Sequence, residues 1–252
     1  MTARGADAGA GPWPGDAGDV GAPAGKTALI IGASRGLGYA LAAEYLARGW
    51  QVTATVRGAG RTAWHDLTGP SAGRLVVETV DITVRQEIAT LHERLAQTTF
   101  DLLFVNAGVT NGPGETVADV STDTFVRLMV TNALSPMRVV EVLQDLVTPN
   151  GTIAVMSSGQ GSVANNEKGG FEVYRASKSA LNQLMRSFAA RHADDPRTLL
   201  LVAPGWVQTD LGGPAAPLTI GQSIPGVVDT IEAQAGRGGL QYLDYRGQTV
   251  SW

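Results

Sequence analysis

The sequence of 252 residues has no cysteine. That excludes disulfides, thiolate metal sites and a cysteine nucleophile, and it fits a reducing, cytoplasmic location. Histidine is scarce: His65, His92 and His192 show no partner spacing, so surface roles are expected and no metal site is. No run of about 18 apolar residues occurs, so no transmembrane helix and no membrane partner are expected. Basic residues are not in excess. A net charge of −4 and a pI near 5.4 argue against nucleic acid or an anionic membrane surface. What is present, 44% hydrophobic and 17% charged residues, is the balance of a globular chain with a large core.

Residues 1–25 are almost entirely Gly, Ala, Pro and Asp. They lack the basic start and apolar segment of a signal peptide. Such composition cannot bury enough surface to offset chain entropy, so a disordered tail is expected. A regulatory segment and an upstream start codon both fit it. From Lys26 to Trp252 the pattern changes to short apolar runs alternating with helical periods. Strands are expected at Thr27–Ile31, Gln51–Val56, Leu75–Val80, Asp101–Val105, Thr152–Met156 and Thr198–Ala203. Helices are expected over Tyr39–Arg48, 83–97, 122–147 and 173–193. The alternation implies right-handed crossovers and a parallel sheet covered on both faces, a single doubly wound, Rossmann-type α/β domain. Leu199–Ala203 suits a strand buried on both sides.

Gly32-Ala33-Ser34-Arg35-Gly36-Leu37-Gly38 lies between the first strand and the first helix. There the chain must turn sharply into a helix whose free N–H groups face a pyrophosphate, and side chains would obstruct the approach. A site for NAD places a carboxylate at the end of the second strand. Here that strand ends at Arg57, and the nearest acidic residue downstream is Asp66. Arg57 and Arg35 together suit a 2′-phosphate, because guanidinium forks match phosphate geometry, and so favour NADPH. Asp81 with Ile82, and Asn106-Ala107-Gly108, follow the third and fourth strands. They fit adenine and cofactor contacts, and equally well ordinary turn chemistry.

Tyr174 and Lys178 are four apart in an expected helix and so share a face. A free tyrosine titrates near about 10. A neighbouring ammonium and an oxidised nicotinamide ring both favour the phenolate. Lowering the value by about three units needs about 4 kcal/mol, within reach in a partly desolvated cleft. By itself the pair is a frequent chance spacing.

As an ensemble, residues 26–252 resemble the short-chain dehydrogenase/reductase family. The family's glycine motif matches Gly32, Gly36 and Gly38, with Ile31 where a Thr is usual. Its Asn-Ala-Gly motif matches Asn106, Ala107 and Gly108, with Val105 where a further Asn is common. Its Pro-Gly-x-Val-x-Thr segment matches Pro204, Gly205, Val207 and Thr209, the last placed for the nicotinamide carboxamide. The catalytic Asn, Ser, Tyr and Lys match Asn132, Ser158, Tyr174 and Lys178. Ser157 is the rival serine, and the spacing to Gly161 favours Ser158. Ser158 and Tyr174 are 16 apart, longer than is usual in the family. That interval, Gly212-Gly213-Pro214, Asp244-Tyr245 and the closing Trp252 resemble the branch with the bacterial C-signalling factor and sniffer-type carbonyl reductases.

The resemblance implies hydride transfer from the pro-S face of NADPH to a carbonyl carbon. Tyr174 is then the general acid, Ser158 the donor that holds the carbonyl oxygen, Lys178 the ribose ligand and pKa modulator, and Asn132 the holder of a relay water. Loops 109–117, 159–171 and the stretch after Pro204 (Leu211, Pro214, Pro217, Leu218, Ile220) are the expected substrate walls. Without a basic residue over 205–222, a small, neutral, fairly apolar ketone or aldehyde is expected. The resemblance also implies a homodimer or homotetramer paired through the helices near 122–147 and 173–193. An NADPH-binding signalling protein of the same fold is the alternative, and alcohol oxidation differs only in direction.

Overall fold

The expected strands all form and share one sheet; the structure, a computed structural model, describes residues 25–58, 64, 71, 73–112 and 114–252. The tail expected over 1–25, apart from Gly25, lies outside the described residues, as do His65 and Asp66. In chain order the elements are β1 (Thr27–Ile31), α1 (Gly36–Ala47), β2 (Gln51–Val56), β3 (Leu75–Thr79), α2 (Arg85–Leu95) and β4 (Phe100–Val105). Then come α3 (Thr122–Met129), a π turn (Val130–Leu134), α4 (Ser135–Leu143), β5 (Val147–Met156) and α5 (Glu172–Arg191). β6 (Thr198–Ala203), α6 (Ile220–Gln234) and β7 (Gly239–Asp244) follow. The strands are all parallel, in the order β3-β2-β1-β4-β5-β6-β7. The order reverses between β1 and β4, so the connections leaving these strands part to opposite faces and open a crevice at their carboxyl ends.

Side chains alternate along a strand, so each strand feeds two layers. Leu29, Leu103 and Leu201 join Leu91 of α2, Val140 of α4 and Phe188 of α5 in one layer. Ile30, Phe104 and Leu200 join Leu41 and Tyr45 of α1 and Val227 and Ile231 of α6 in the other. β6 is buried along its whole length, which is why it reads as an unbroken apolar run.

Three expectations need correction. The helix expected over 122–147 is broken at the π turn, where the Ser135 N–H reaches back to the Val130 carbonyl. Pro136 has no N–H to give the Asn132 carbonyl four residues earlier, so a regular turn cannot close there. β5 starts at Val147 rather than Thr152. Val147 pairs with Phe100, but the register slips before Thr152 pairs with Leu102, and Pro149-Asn150-Gly151 in the slip disguise the strand start. The third correction is an addition: α6 and β7 were not among the expected elements. α6 carries Ile224, Val227, Val228 and Ile231 at helical spacing and a Thr219–Gln222 capping box, with Pro225 inside it. β7 is a six-residue edge strand with glycines at its start.

Candidate active site

Gly32 ends β1 with φ +81°, and a Cβ there would stand 2.0 Å from the Asn106 carbonyl oxygen. A Cβ on Gly38 would meet the Gly32 carbonyl oxygen at 2.2 Å and Asn106 Nδ2 at 2.6 Å. Both glycines therefore let α1 close on the ends of β1 and β4, and Asn106 Nδ2 completes the joint by donating to the Gly32 carbonyl at 3.1 Å. Gly36 differs: its φ is +57°, and a Cβ there would point into open space. It begins α1, whose first turn has no side-chain cap and no acidic residue. The N–H groups and positive dipole end thus face the cleft, which fits a pyrophosphate. Gly38→Ala should lower stability by about 2–4 kcal/mol, because backbone rather than a flexible side chain blocks the methyl. Chemical denaturation would measure this, and an unchanged midpoint would contradict the packing role.

The cleft measures about 1840 Å³. Ordinary ligand pockets occupy about 300–1,000 Å³, so a dinucleotide and a second molecule can share it. Ser34, Arg35, Leu37, Arg57, Asp81 and Ile82 line one end. Asn106, Ala107, Gly108, Pro204, Gly205, Val207 and Thr209 continue the lining to Ser158, Tyr174 and Lys178. Two expected site residues do not line it: Gly38, which acts through packing, and Asn132. Asp81 accepts from the Thr83 N–H and hydroxyl at 2.9 and 2.7 Å. These bonds hold its carboxyl below the usual range, with the Arg57 charge adding to them. Arg35 ion-pairs with Asp210 at 3.0 Å across the cleft mouth; at 75% and 80% exposure the pair contributes little stability and can exchange for another anion.

At the other end, α5 presents Tyr174 and Lys178 on one buried face. Lys178 Nζ donates to the carbonyls of Ala107 (3.2 Å), in the loop that leaves β4, and Met156 (3.0 Å), the last residue of β5. Burial lowers its ammonium to about 8. Burial raises the Tyr174 phenol above its ordinary range, opposed by hydrogen bonding from Ser158. The spacing alone leads one to expect Lys178 to pull the phenol down; the protein environment by itself pushes it up, and desolvation is the reason. Ser158 and Ser157 are now distinguishable. Both border the cleft, but it is the Ser158 side chain that hydrogen-bonds the Tyr174 phenol. The Ser157 hydroxyl turns away and donates to Asn182 Oδ1 at 2.6 Å.

Asn132 sits in the π turn and is fully buried. Its Oδ1 accepts from the Val109 N–H at 2.8 Å, and its Nδ2 donates to the Val109 carbonyl and to Ser177 Oγ at 2.8 and 2.9 Å. The side chain thus fastens loop 109–112 to α5. Of the expected substrate walls, Val109, Thr110, Phe171, Leu211, Pro214 and Ile220 line the cleft, whereas Val117, Pro217 and Leu218 do not. Phe171 and Trp206 fall inside the expected walls 159–171 and after Pro204, whereas Arg175 was not expected in the cleft. The Trp206 indole donates to the Gly212 carbonyl at 2.7 Å, fixing the ring at the mouth. Phe171 holds the left-handed conformation (φ 50°), an arrangement that costs about 1–2 kcal/mol and recurs at functional sites. Arg175 brings a cation into the cleft, with Nε on the Gly170 carbonyl at 2.8 Å, so this wall is less neutral than 205–222 suggested. No sequence periodicity marks any of the three.

Among the described residues no group of three or more His, Asp or Glu could hold a metal ion, and no helix is long and apolar enough to cross a membrane. His92 bonds Asp145 at 2.9 Å, and His192 packs on Phe188.

A profile of the family described as short chain dehydrogenase matches residues 26–217. Among solved structures, one described as a short-chain dehydrogenase/reductase from Burkholderia multivorans with bound NADP is 60% identical. Its TM-score is 0.88, over 90% of this chain and 99% of that one. A carbonyl reductase from Pseudomonas aeruginosa PAO1 in complex with NADP is 36% identical, with a TM-score of 0.83, over 90% of this chain and 100% of that one. C-signal from Myxococcus xanthus is 35% identical over 154 residues, 60% of this chain and 92% of its own. It represents the branch that the long serine–tyrosine interval resembles.

Proposed function

This chain belongs to the short-chain dehydrogenase family, and from that premise we propose that it reduces a ketone or aldehyde to an alcohol with NADPH, Tyr174 supplying the proton. The observation that carries the reading is one cleft. It joins the uncapped start of α1 and Arg57 at one end to Tyr174, Ser158 and Lys178 at the other. When bound, the reduced nicotinamide supplies the hydride that adds to the carbonyl carbon. Tyr174 donates its phenolic proton to the carbonyl oxygen. Ser158 Oγ donates a hydrogen bond to the same oxygen and holds it beside the phenol. The raised phenol suits the acid role, because the proton is present when the carbonyl arrives. Lys178 is the cation beside it, able to hold ribose hydroxyls and return a proton to Tyr174. Asn132 positions α5 against loop 109–112. Two copies pairing through α3, α4 and α5 belong to the same reading, which the exposed Phe125, Val126 and Leu184 support.

The test is a panel of ketones and aldehydes assayed with NADPH and with NADH. Carbonyl-dependent oxidation of NADPH is expected; no turnover with any carbonyl would favour a binding role for the fold instead. A pH profile adds a second check. The Lys178 ammonium titrates at about 8, so kcat/KM for NADPH should fall as pH rises through that value and the proton store empties. A profile that stays level through pH 10 would remove Lys178 from the relay. Stability moves the opposite way. Lys178 titrates below its unfolded value, so this group adds stability as pH rises from about 8 towards 10.5.

A further inference from the structure

Ser158 lies beyond the last ladder bond of β5, which the Ser157 N–H makes to the Val202 carbonyl at 2.8 Å. Its position is therefore set by other contacts. The Gly161 N–H donates to the Ser158 carbonyl at 2.8 Å, and the Ser158 hydroxyl accepts from the Gln160 N–H at 3.1 Å. A second donor reaches that carbonyl from far away in sequence: the phenol of Tyr242, on β7. Tyr242 is buried, and its oxygen also meets the side chains of Asn182 and Ser157. Asn182 in turn donates to the Gly161 carbonyl at 3.2 Å. A Cβ on Gly161 would come within 2.9 Å of Asn182 Nδ2 and 3.1 Å of Lys178 Cβ, so the whole serine turn is pressed onto α5. The Tyr242 ring rests against Trp252, with centroids 5.5 Å apart, and the Trp252 carbonyl accepts from the Ala164 N–H at 3.0 Å.

We propose that Tyr242 is a positioning residue for carbonyl reduction, acting through Ser158. Two donors on one carbonyl fix the rotation of the Ser158 peptide, and with it the direction in which Oγ points at Tyr174. A buried cluster of polar groups that are all satisfied is rigid, and losing one member loosens the rest. The inference rests on Ser158 binding the carbonyl oxygen, as argued above. Tyr242 does not line the cleft; its hydrogen bond to the reacting groups runs through the serine, and its nearness to Tyr174 otherwise only helps to keep that phenol protonated.

The experiment compares the wild type with Tyr242→Phe, Ser158→Ala and the double variant, assayed with NADPH and the best ketone of the panel. Tyr242→Phe keeps the ring against Trp252 and removes only the hydroxyl. Its kcat should drop about tenfold, with KM for NADPH within about twofold of wild type. The double variant should be no slower than Ser158→Ala, because two residues acting through one group do not add. Losses that multiply in the double variant, or a wild-type kcat in Tyr242→Phe beside an impaired Ser158→Ala, would overturn the inference and leave the proposed function standing. A wild-type rate in Ser158→Ala would instead sink the catalytic reading itself, and this inference with it. Should Tyr242→Phe fold poorly, Ser157→Ala removes one partner of the same phenol. It should lower kcat about threefold at unchanged KM, and an unchanged kcat there counts equally against the proposal.

Discussion

Tyr174→Phe should lower kcat for carbonyl reduction by about 10²–10⁴-fold, the range of a lost general acid, while NADPH binds almost as before. The substitution is conservative in every respect but one. The Tyr174 ring is buried with Leu128 and Val173, and phenylalanine fills the same space. Only the hydroxyl beside Ser158 disappears. Lys178 is held by the Ala107 and Met156 carbonyls rather than by the phenol, so its position survives the change. Hence a loss confined to kcat, with the NADPH dissociation constant and thermal midpoint close to wild type, identifies the missing proton as the cause. Turnover within about threefold of wild type would mean that another group protonates the product.

The raised phenol and lowered ammonium share one origin. Both groups are on the buried face of α5, where each neutral form is favoured. A neutral tyrosine holds a proton to give, and a lysine near 8 exchanges protons at ordinary pH. The two shifts move donor and store apart and leave the ammonium the stronger acid, so proton return from Lys178 to Tyr174 runs downhill. This differs from the sequence argument, in which the ammonium drew the phenol down to meet it. Spacing along a helix states that two residues share a face, but only packing states how dry that face is.

The same distinction separates what was legible from what was not. β1, β2 and β6 were readable to the residue, because apolar runs bounded by polar ones leave one interpretation. Gly32, Gly36 and Gly38 were readable as a group, but not in their different parts: Gly36 opens the cleft and Gly38 closes the fold. Asn132 was legible through the family resemblance, yet its bonds to Val109 and Ser177 depend on a π turn that only Pro136 hints at. α6 carried a legible apolar stripe and capping box, obscured by Pro225. Tyr242 was not legible at all, since its importance comes from meeting Ser158, 84 residues away, on a strand that no strong pattern announces. Local physics marks elements and turns; long-range polar contacts appear only once the sheet order is known.

Arg57→Asp should reverse the coenzyme preference, lowering the ratio of kcat/KM for NADPH over NADH by about 10²–10³-fold. Arg57 is exposed at the end of β2, in the cleft, and its charge is felt at Asp81 across the β2–β3 edge. A guanidinium there gains a charge-assisted bond with a 2′-phosphate, about 1.5–3 kcal/mol, and an aspartate replaces it with repulsion. The same aspartate supplies what a ribose with free hydroxyls needs at that point, so activity with NADH should persist or rise. Steady-state kinetics with both coenzymes measure the ratio, and continued preference for NADPH would show that Arg57 is not the phosphate ligand. Arg35→Ala should cost less, about tenfold with NADPH, because Arg35 already has Asp210 as a partner and must leave it to bind phosphate. By the same reasoning Asp210→Asn should tighten NADPH a few-fold without changing NADH, since it frees Arg35 for the phosphate that only NADPH carries.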